Sequence, residues 1–297
     1  MQSEDIRKFL AVVLAREDHG LIEPCIKNLL RNGFSAVHVC CVESFGSQVE
    51  SLLRKFESFP EVSFSAYHPQ GDAISALKLS GPFFAPILDA QSPDWLAVLD
   101  VDEMFATNLD TIATSPEFGL ADQVILARYN YAGRRTEDTN DLMASLARPG
   151  DLPIIFEKQN RLKEADSMHG PHWLFHSIGP KAIFRPEKFK FLAPGAHRAM
   201  PKKDVRRTSI ESKSMCYVHI PFTTLGRFQQ KLQNVKQYFS ERTTPPKPNE
   251  AWHWKRWMEC LEAEAAKQEF ERELLSEDEF VALETSGTIK RVSDILC

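Results

Sequence analysis

The 297-residue chain has no run approaching the roughly 20 apolar residues needed to cross a bilayer. Its six cysteines, Cys25, Cys40, Cys41, Cys216, Cys260 and Cys297, include no C-x-x-C pair. That argues against a zinc ribbon or a thioredoxin-like centre and fits reduced thiols in apolar settings. No G-x-G-x-x-G follows the first predicted strand and no G-x-x-x-x-G-K-[ST] occurs anywhere, which disfavours a dinucleotide dehydrogenase and a P-loop kinase. Internal repeats are absent. Basic charge is not in excess: the net charge of −5 gives no overall positive field, so nucleic acid is not an expected partner. The acidic start, Met1 to Asp5, lacks a signal-peptide pattern, and the expectation is a cytoplasmic protein.

What the chain does have is a large apolar fraction, 43%, arranged in short runs between charged segments. Phe9 to Leu14 is continuous and rich in strand formers, as expected of a central strand covered on both faces. Asp18 is a candidate cap for a helix whose apolar positions Leu21, Ile22, Cys25, Ile26, Leu29 and Leu30 recur at helical spacing, with Gly33 placed to end it. Ala36 to Val42 reads as a second strand. Ser47 to Glu50 has capping-box spacing ahead of a second helix that Pro60 closes. Val62 to Tyr67 is a third strand, Ala73 to Ala90 a helical stretch, and Trp95 to Leu99 a fourth strand. This alternation predicts an α/β fold with a doubly wound, mainly parallel sheet and helices on both faces.

Sheets of this kind bind ligands beyond the carboxyl ends of their strands. Arg16-Glu17-Asp18, Glu43-Ser44 and Asp100-Val101-Asp102-Glu103 all fall there. Glu43 suits a ribose hydroxyl, as an acidic residue in that place does in dinucleotide sites, and Arg16 is a second candidate nucleotide contact. Asp100 and Asp102 carry the clearest chemistry. Two carboxylates so close at the end of an apolar strand repel one another, and a divalent cation or a shared proton relieves that. Magnesium and manganese take few carboxylates and complete their shells with water and phosphate oxygens, so the pair suggests phosphate chemistry. The plain alternative is a solvated acidic turn.

The phrase from Asp94 to Phe105, DWLAVLDVDEMF, resembles the hallmark of GT-A glycosyltransferases, in particular family-2-like proteins whose strand ends in D-x-D-E-[FM]. Similar segments follow in order at Gly179 to Pro186, Gly195 to Arg198 and Tyr217 to Phe222, over about residues 6–236. The resemblance implies a sugar transferase with a GT-A domain over residues 1–222, its nucleotide-binding half 1–105 and its acceptor-side half 106–222, and a helical C-terminal extension over 223–297. It implies that Asp100 and Asp102 hold Mn2+ or Mg2+ against the diphosphate of a nucleotide-sugar donor, a UDP-sugar by family habit, with a glycan or other hydroxyl acceptor. His219 would be a third metal ligand or a phosphate contact, Lys181 and Arg185 phosphate or acceptor contacts, His197 a residue near the sugar, and Glu103 a support of the metal site or an acceptor contact. The chain departs from the pattern at Val42 to Ser47, where the family carries an Asp-Asn-Gly-Ser-like turn. It also lacks a clear base motif, Glu164 and Asp166 being the nearest acidic residues, so inversion and retention both stay open.

Three other readings compete. Asp100 and Asp102 also look like the nucleophile and general acid of haloacid-dehalogenase-like phosphatases. His169, His172 and His176 have H-x-x-H-x-x-x-H spacing and could gather on zinc, although Pro171 breaks the helix that would align them. A non-catalytic carbohydrate-binding protein on a degenerate transferase fold is the third. Beyond a helix from about Thr224 to Ser240, the Pro-rich segment Thr243 to Asn249 reads as a stiff linker, and Glu250 to Leu275 as one helix with Trp254, Trp257, Met258 and Leu261 on one face. That face suits docking on the parent domain, with a peripheral membrane contact as the alternative.

Overall fold

The computed structural model describes residues 7–15, 19–42, 47–67, 78–107, 116–146, 148–158, 172–193, 196–241, 252–261 and 263–296. In the first part the order is β1 (Phe9–Ala15), α1 (His19–Arg31), β2 (Ala36–Val42), α2 (Ser47–Phe56), β3 (Val62–Tyr67), α3 (Phe84–Gln91), β4 (Trp95–Asp100) and β5 (Glu103–Ala106). There follow α4 (Pro116–Leu120), β6 (Gln123–Asn130), α5 (Thr139–Ser145), β7 (Pro153–Ile155), β8 (Lys181–Phe184), β9 (Phe189–Leu192), β10 (Ala199–Pro201) and β11 (Ser209–His219). The chain ends with α6 (Leu225–Glu241), α7 (Trp252–Met258), α8 (Ala263–Glu273), α9 (Glu277–Thr285) and β12 (Ile289–Arg291).

Eight strands form one sheet in the order β3-β2-β1-β4-β8-β6-β11-β5. The β3-β2-β1-β4 half is wholly parallel, whereas β8 runs antiparallel to both β4 and β6, and β5 antiparallel to β11. β1 shows why this half is doubly covered. Phe9, Ala11, Val13 and Ala15 join the core packed with Leu21, Ile22, Cys25, Ile26 and Leu29 of α1, while Leu10 and Val12 face the opposite core with Phe84 and Ile87 of α3. Alternate residues of one strand thus serve two layers, and the run must be apolar throughout.

Gly33 ends α1 at φ 86°, as its placement predicts. The capping role of Asp18 and most of the helical stretch before Pro82 lie on or beside residues outside those described; the described helix begins only at Phe84. One expectation needs correction. Glu250 to Leu275 is not one helix: α7 stops at Met258, the Glu259 and Cys260 amides close tight turns onto the carbonyls of Arg256 and Trp257, and α8 starts at Ala263. The break lets Arg256 of α7 face Glu269 (2.6 Å) and Glu273 (3.0 Å) of α8 in a buried ion cluster. The residues after 222 dock on the preceding part of the chain. Trp257, Phe270 and Phe280 share a core with Phe222 and Phe228, and β12 pairs with β7.

β5 is the edge strand on one side, and its outer backbone is satisfied by a side chain. Asn28 of α1 donates to the Phe105 carbonyl (2.9 Å) and accepts from the Phe105 amide (2.8 Å). The chain leaves β4 in mid-sheet, turns through Val101 and Asp102, and re-enters the sheet at its far edge beside β11. Amide bonds from Val101 to the Leu14 carbonyl and from Ile220 to the Asp102 carbonyl fix that crossing.

Candidate active site

The crossing places the D-x-D segment at the carboxyl end of β4, where the neighbouring strand β8 runs the other way. Because β8 is antiparallel, its first residue, Lys181, lies at the same edge as the last residues of β4, β6 and β11. The side chains that meet there are Asp100, Asp102 and Glu103, Arg128 and Asn130 of β6, Lys181, His219 of β11, and Arg227 and Lys231 from the first turns of α6.

Glu103 and Lys181 form the floor and are 0% and 1% exposed. Lys181 Nζ lies 3.1 Å from both Glu103 Oε2 and Asp100 Oδ2, Arg128 pairs with Glu103 Oε1, and the Asp100 amide donates to Glu103 Oε2 at 3.0 Å. Burial works to raise the Glu103 pKa, and Lys181 and Arg128 outweigh it, so this carboxylate stays ionised. Glu103 therefore braces the strand end from below. Asp100, by contrast, has a side chain 49% exposed, reaching the open edge.

Asp102 is buried, with Arg227 (2.9 Å), Lys231 (3.5 Å) and His219 Nε2 (3.5 Å) all on its Oδ2. Burial opposes its charge, yet His219, Lys231 and Arg227 hold the carboxyl well below the usual carboxylate range. The protonation of His219 follows from its hydrogen bonds. Asn130 Nδ2 donates to the Leu174 carbonyl (2.9 Å), so Asn130 Oδ1 must be the acceptor facing His219 Nδ1 at 2.9 Å. The proton sits on Nδ1. Burial keeps the ring below its ordinary pKa against the pull of Asp102, and its Nε2 lies 3.5 Å from Asp102 Oδ2. With Nδ1 engaged by Asn130, Nε2 is the ring nitrogen left at the Asp102 side of the cluster.

Asp102 and His219 thus offer an oxygen and a nitrogen donor to one point, with Asp100 alongside. Among the described residues no group of three or more His, Cys, Asp or Glu side chains is gathered tightly enough to hold a metal ion by itself. Few protein ligands suit a divalent cation that takes the rest of its shell from phosphates and water, and the imidazole favours manganese over magnesium. Asp102 Oδ2 and His219 Nε2, 3.5 Å apart, are the donors that such an ion could take here.

His197 lies beside this cluster. Its Nδ1 donates to the Pro180 carbonyl (3.1 Å), next to Lys181, and burial with the charges of Arg128 and Lys181 lowers its pKa to about 4. Its ring packs on Gly179, where a Cβ would meet Nδ1 at 3.1 Å. Arg16 and Glu43 lie outside the described residues, as do Glu164, Asp166 and His169. Arg185 does not join the site: it is at the other end of β8, over the Trp95 ring, donating to the Ala121 and Phe118 carbonyls. The three residues between Lys181 and Arg185 carry it to the opposite sheet edge. Trp173 is 5% exposed, wedged among His219, Phe222, His253 and Trp257, so it walls the site and offers no open face to a ligand. His172 and His176 flank it on a short 3-10 turn (Trp173–Phe175), not on a helix face.

The sequence reading missed Arg128, Asn130 and Arg227, and assigned Lys231 no role. Their signals are faint. Arg128 and Asn130 are polar alternates closing an apolar strand, and Arg227 and Lys231 are one helical turn apart just after the strand that ends in His219.

No protein-family model matches the chain, and no curated protein matches it in sequence. Among solved structures it is similar to a mannosyltransferase, PcManGT from Pyrobaculum calidifontis, in complex with GDP-Man and Mn2+. Identity is 13% over 94% of this chain and 79% of the other, with a TM-score of 0.38. The bifunctional glycosyltransferase WbbM is similar over 43% of this chain and 24% of its own, with 11% identity and a TM-score of 0.27. GlyE of Streptococcus pneumoniae TIGR4 is similar over 41% and 29%, with 16% identity and a TM-score of 0.26. At these scores the likeness carries no argument about activity, which has to come from the strand-end chemistry.

Proposed function

We propose that the protein is a metal-dependent glycosyltransferase that moves a sugar from a nucleotide-sugar, a UDP-sugar in the first instance, to a hydroxyl acceptor of glycan type. The observation that carries the reading is the Asp102–His219 pair at the strand end, His219 held through Nδ1 by Asn130 with Nε2 3.5 Å from a carboxylate held ionised. The motif resemblance at Asp94 to Phe105 supports it independently. Asp100, Asp102 and His219 are the residues that would hold Mn2+ or Mg2+, and such an ion supplies neutralisation of the charge left on the departing nucleoside diphosphate. Glu103 and Lys181 keep Asp100 in place beneath the donor. His197, with Nδ1 committed to Pro180, presents an acceptor nitrogen near the sugar, and Arg16 and Glu43 remain the proposed nucleotide contacts.

The phosphatase reading fares worse on the same residues. It asks Asp102 to deliver a proton as a general acid, and a carboxyl held well below its ordinary pKa by Arg227, Lys231 and His219 has none to give near neutral pH. The test is metal-dependent donor hydrolysis over a panel of nucleotide-sugars. Cleavage of one donor with Mn2+, falling at least about 100-fold in Asp102→Ala and in His219→Ala, is the expected result. Undiminished hydrolysis in Asp102→Ala would remove the metal assignment, and no cleavage of any donor would favour the non-catalytic carbohydrate-binding reading.

A further inference from the structure

Next to the strand-end cluster lies a cavity of about 270 Å³ in which none of the residues discussed so far has a role. Two of its walls are continuations of strands that end in the cluster. Beyond Asn130, where the Tyr131 amide bonds the His219 carbonyl (2.9 Å), the chain leaving β6 supplies Arg135, Glu137 and Thr139. Beyond His219, the chain leaving β11 supplies Phe222, Thr223 and Thr224. Thr223 joins the cavity to the cluster, since its Oγ1 lies 3.4 Å from Arg227 Nη1 and Arg227 Nη2 lies 2.9 Å from Asp102.

The polar groups along these walls are mostly donors. Arg135 is pinned through Nε, which donates to the Glu271 (3.0 Å) and Leu274 (3.1 Å) carbonyls at the end of α8, and through its amide, which donates to the Leu275 carbonyl (3.0 Å). Its Nη1 and Nη2 have no acceptor among the described residues, whereas the neighbouring Arg134 pairs with Glu277 (3.4 Å) and lies over the Phe280 ring. Thr223 and Thr224 use their oxygens as acceptors, for Arg227 Nη1 and the Arg227 amide (3.1 Å), so each hydroxyl keeps its hydrogen to give. Glu137 is the carboxylate of the cavity. Tyr131 donates to its Oε1, and a carboxylate has lone pairs left after that bond.

We propose that this cavity is an acceptor subsite for one sugar ring bearing a carboxylate. A guanidinium held by Nε and open at both Nη groups is the fork that a carboxylate takes side by side. Glu137 and the threonines suit ring hydroxyls, which both give and accept hydrogen bonds, and Phe222 supplies an apolar wall. A simple carboxylic acid leaves Glu137 and the threonines unused, and a neutral sugar leaves the fork unpaired. The volume, at the small end for a ligand pocket, takes a single ring. The role as acceptor subsite rests on the transferase reading above; binding of the acid sugar does not.

The test is a ligand-observed NMR titration of the full chain with glucuronate, glucose and acetate, without metal or nucleotide. Glucuronate should saturate, with glucose and acetate each at least about tenfold weaker, the scale of a charged hydrogen bond. Arg135→Gln keeps a donor for the α8 carbonyls and loses the fork, so glucuronate affinity should fall at least about tenfold while that of glucose stays unchanged. Thr139→Val should weaken both sugars severalfold at an unchanged unfolding midpoint, and it decides the matter should Arg135→Gln fail to fold. No saturation by glucuronate, acetate binding as tightly, or wild-type affinity in the folded variants would overturn the proposal. Glucuronate binding by a protein that cleaves no nucleotide-sugar would overturn the acceptor role and leave a sugar-acid site.

Discussion

Asn130 illustrates how one side chain can set the chemistry of another. It is buried, and by donating to the Leu174 carbonyl it leaves its oxygen for His219 Nδ1, which sets the other imidazole nitrogen toward Asp102. Nothing in the sequence marks it apart from a polar residue closing an apolar strand, because its meaning depends on the fold bringing β11 alongside β6. Asp100 and Asp102 were singled out for the opposite reason, since two carboxylates at the end of a predicted strand already suggest chemistry, whereas His219 came only from the motif resemblance; the structure brings His219 to Asp102. Buried histidine elsewhere affects stability instead. His38 on β2 is bonded through Nδ1 to Ser63 and through Nε2 to Ser65, both at 2.8 Å, and burial lowers its pKa to about 4. The unfolded chain, with an ordinary value near 6.5, takes up the proton first as pH falls, so stability is lost between about pH 6.5 and 4. Urea unfolding at pH 7 and pH 4.5 should show His38→Gln losing about 2–3 kcal/mol less than wild type over that interval. Equal losses would mean that the imidazole titrates normally in the native state.

At the scale of elements, the parallel half was readable because each strand is a short apolar run and each helix carries its own period and terminator. The second half resisted for physical reasons. β8 and β5 are four residues each, too short for alternation to show, and their direction is set by long-range pairing with β4, β6 and β11. The α7–α8 break was hidden because no Pro or Gly marks it and the spacing of Trp254, Trp257, Met258 and Leu261 runs straight into it, while the charge cluster across it shows only in the packed structure. Burial and the nearby Glu273 push Glu269 up to about 7, and Arg256 and Arg272 share both carboxylates. Arg256→Met should therefore destabilise the protein by about 3 kcal/mol in denaturant titration, since it leaves the two buried carboxylates with Arg272 but without their buried partner Arg256. Adding Glu269→Leu should recover part of that loss. A cost below about 1 kcal/mol for the single variant would show that the cluster does not hold the two helices together.

For the molecule as a whole, the sheet and the C-terminal helices work as one device. The D-x-D segment sits where the chain leaves the sheet centre for its far edge, a place where an open α/β sheet exposes a crevice. The last quarter of the chain brings Arg227 and Lys231 of α6 to Asp102 at that edge, with Trp257 of α7 beside Lys231. Division at residue 222 is natural in the sequence, where strands give way to helices, but α6 carries two of the charged groups that reach Asp102. The central claim is that this edge binds a divalent cation and a nucleoside diphosphate together. It is tested most directly by calorimetric titration of the full chain with UDP, GDP, ADP and CDP, each with and without Mn2+, beside Asp102→Ala. The account predicts that one of these binds only when Mn2+ is present and that the variant binds none. Nucleotide binding indifferent to Mn2+ and unchanged in Asp102→Ala would contradict it.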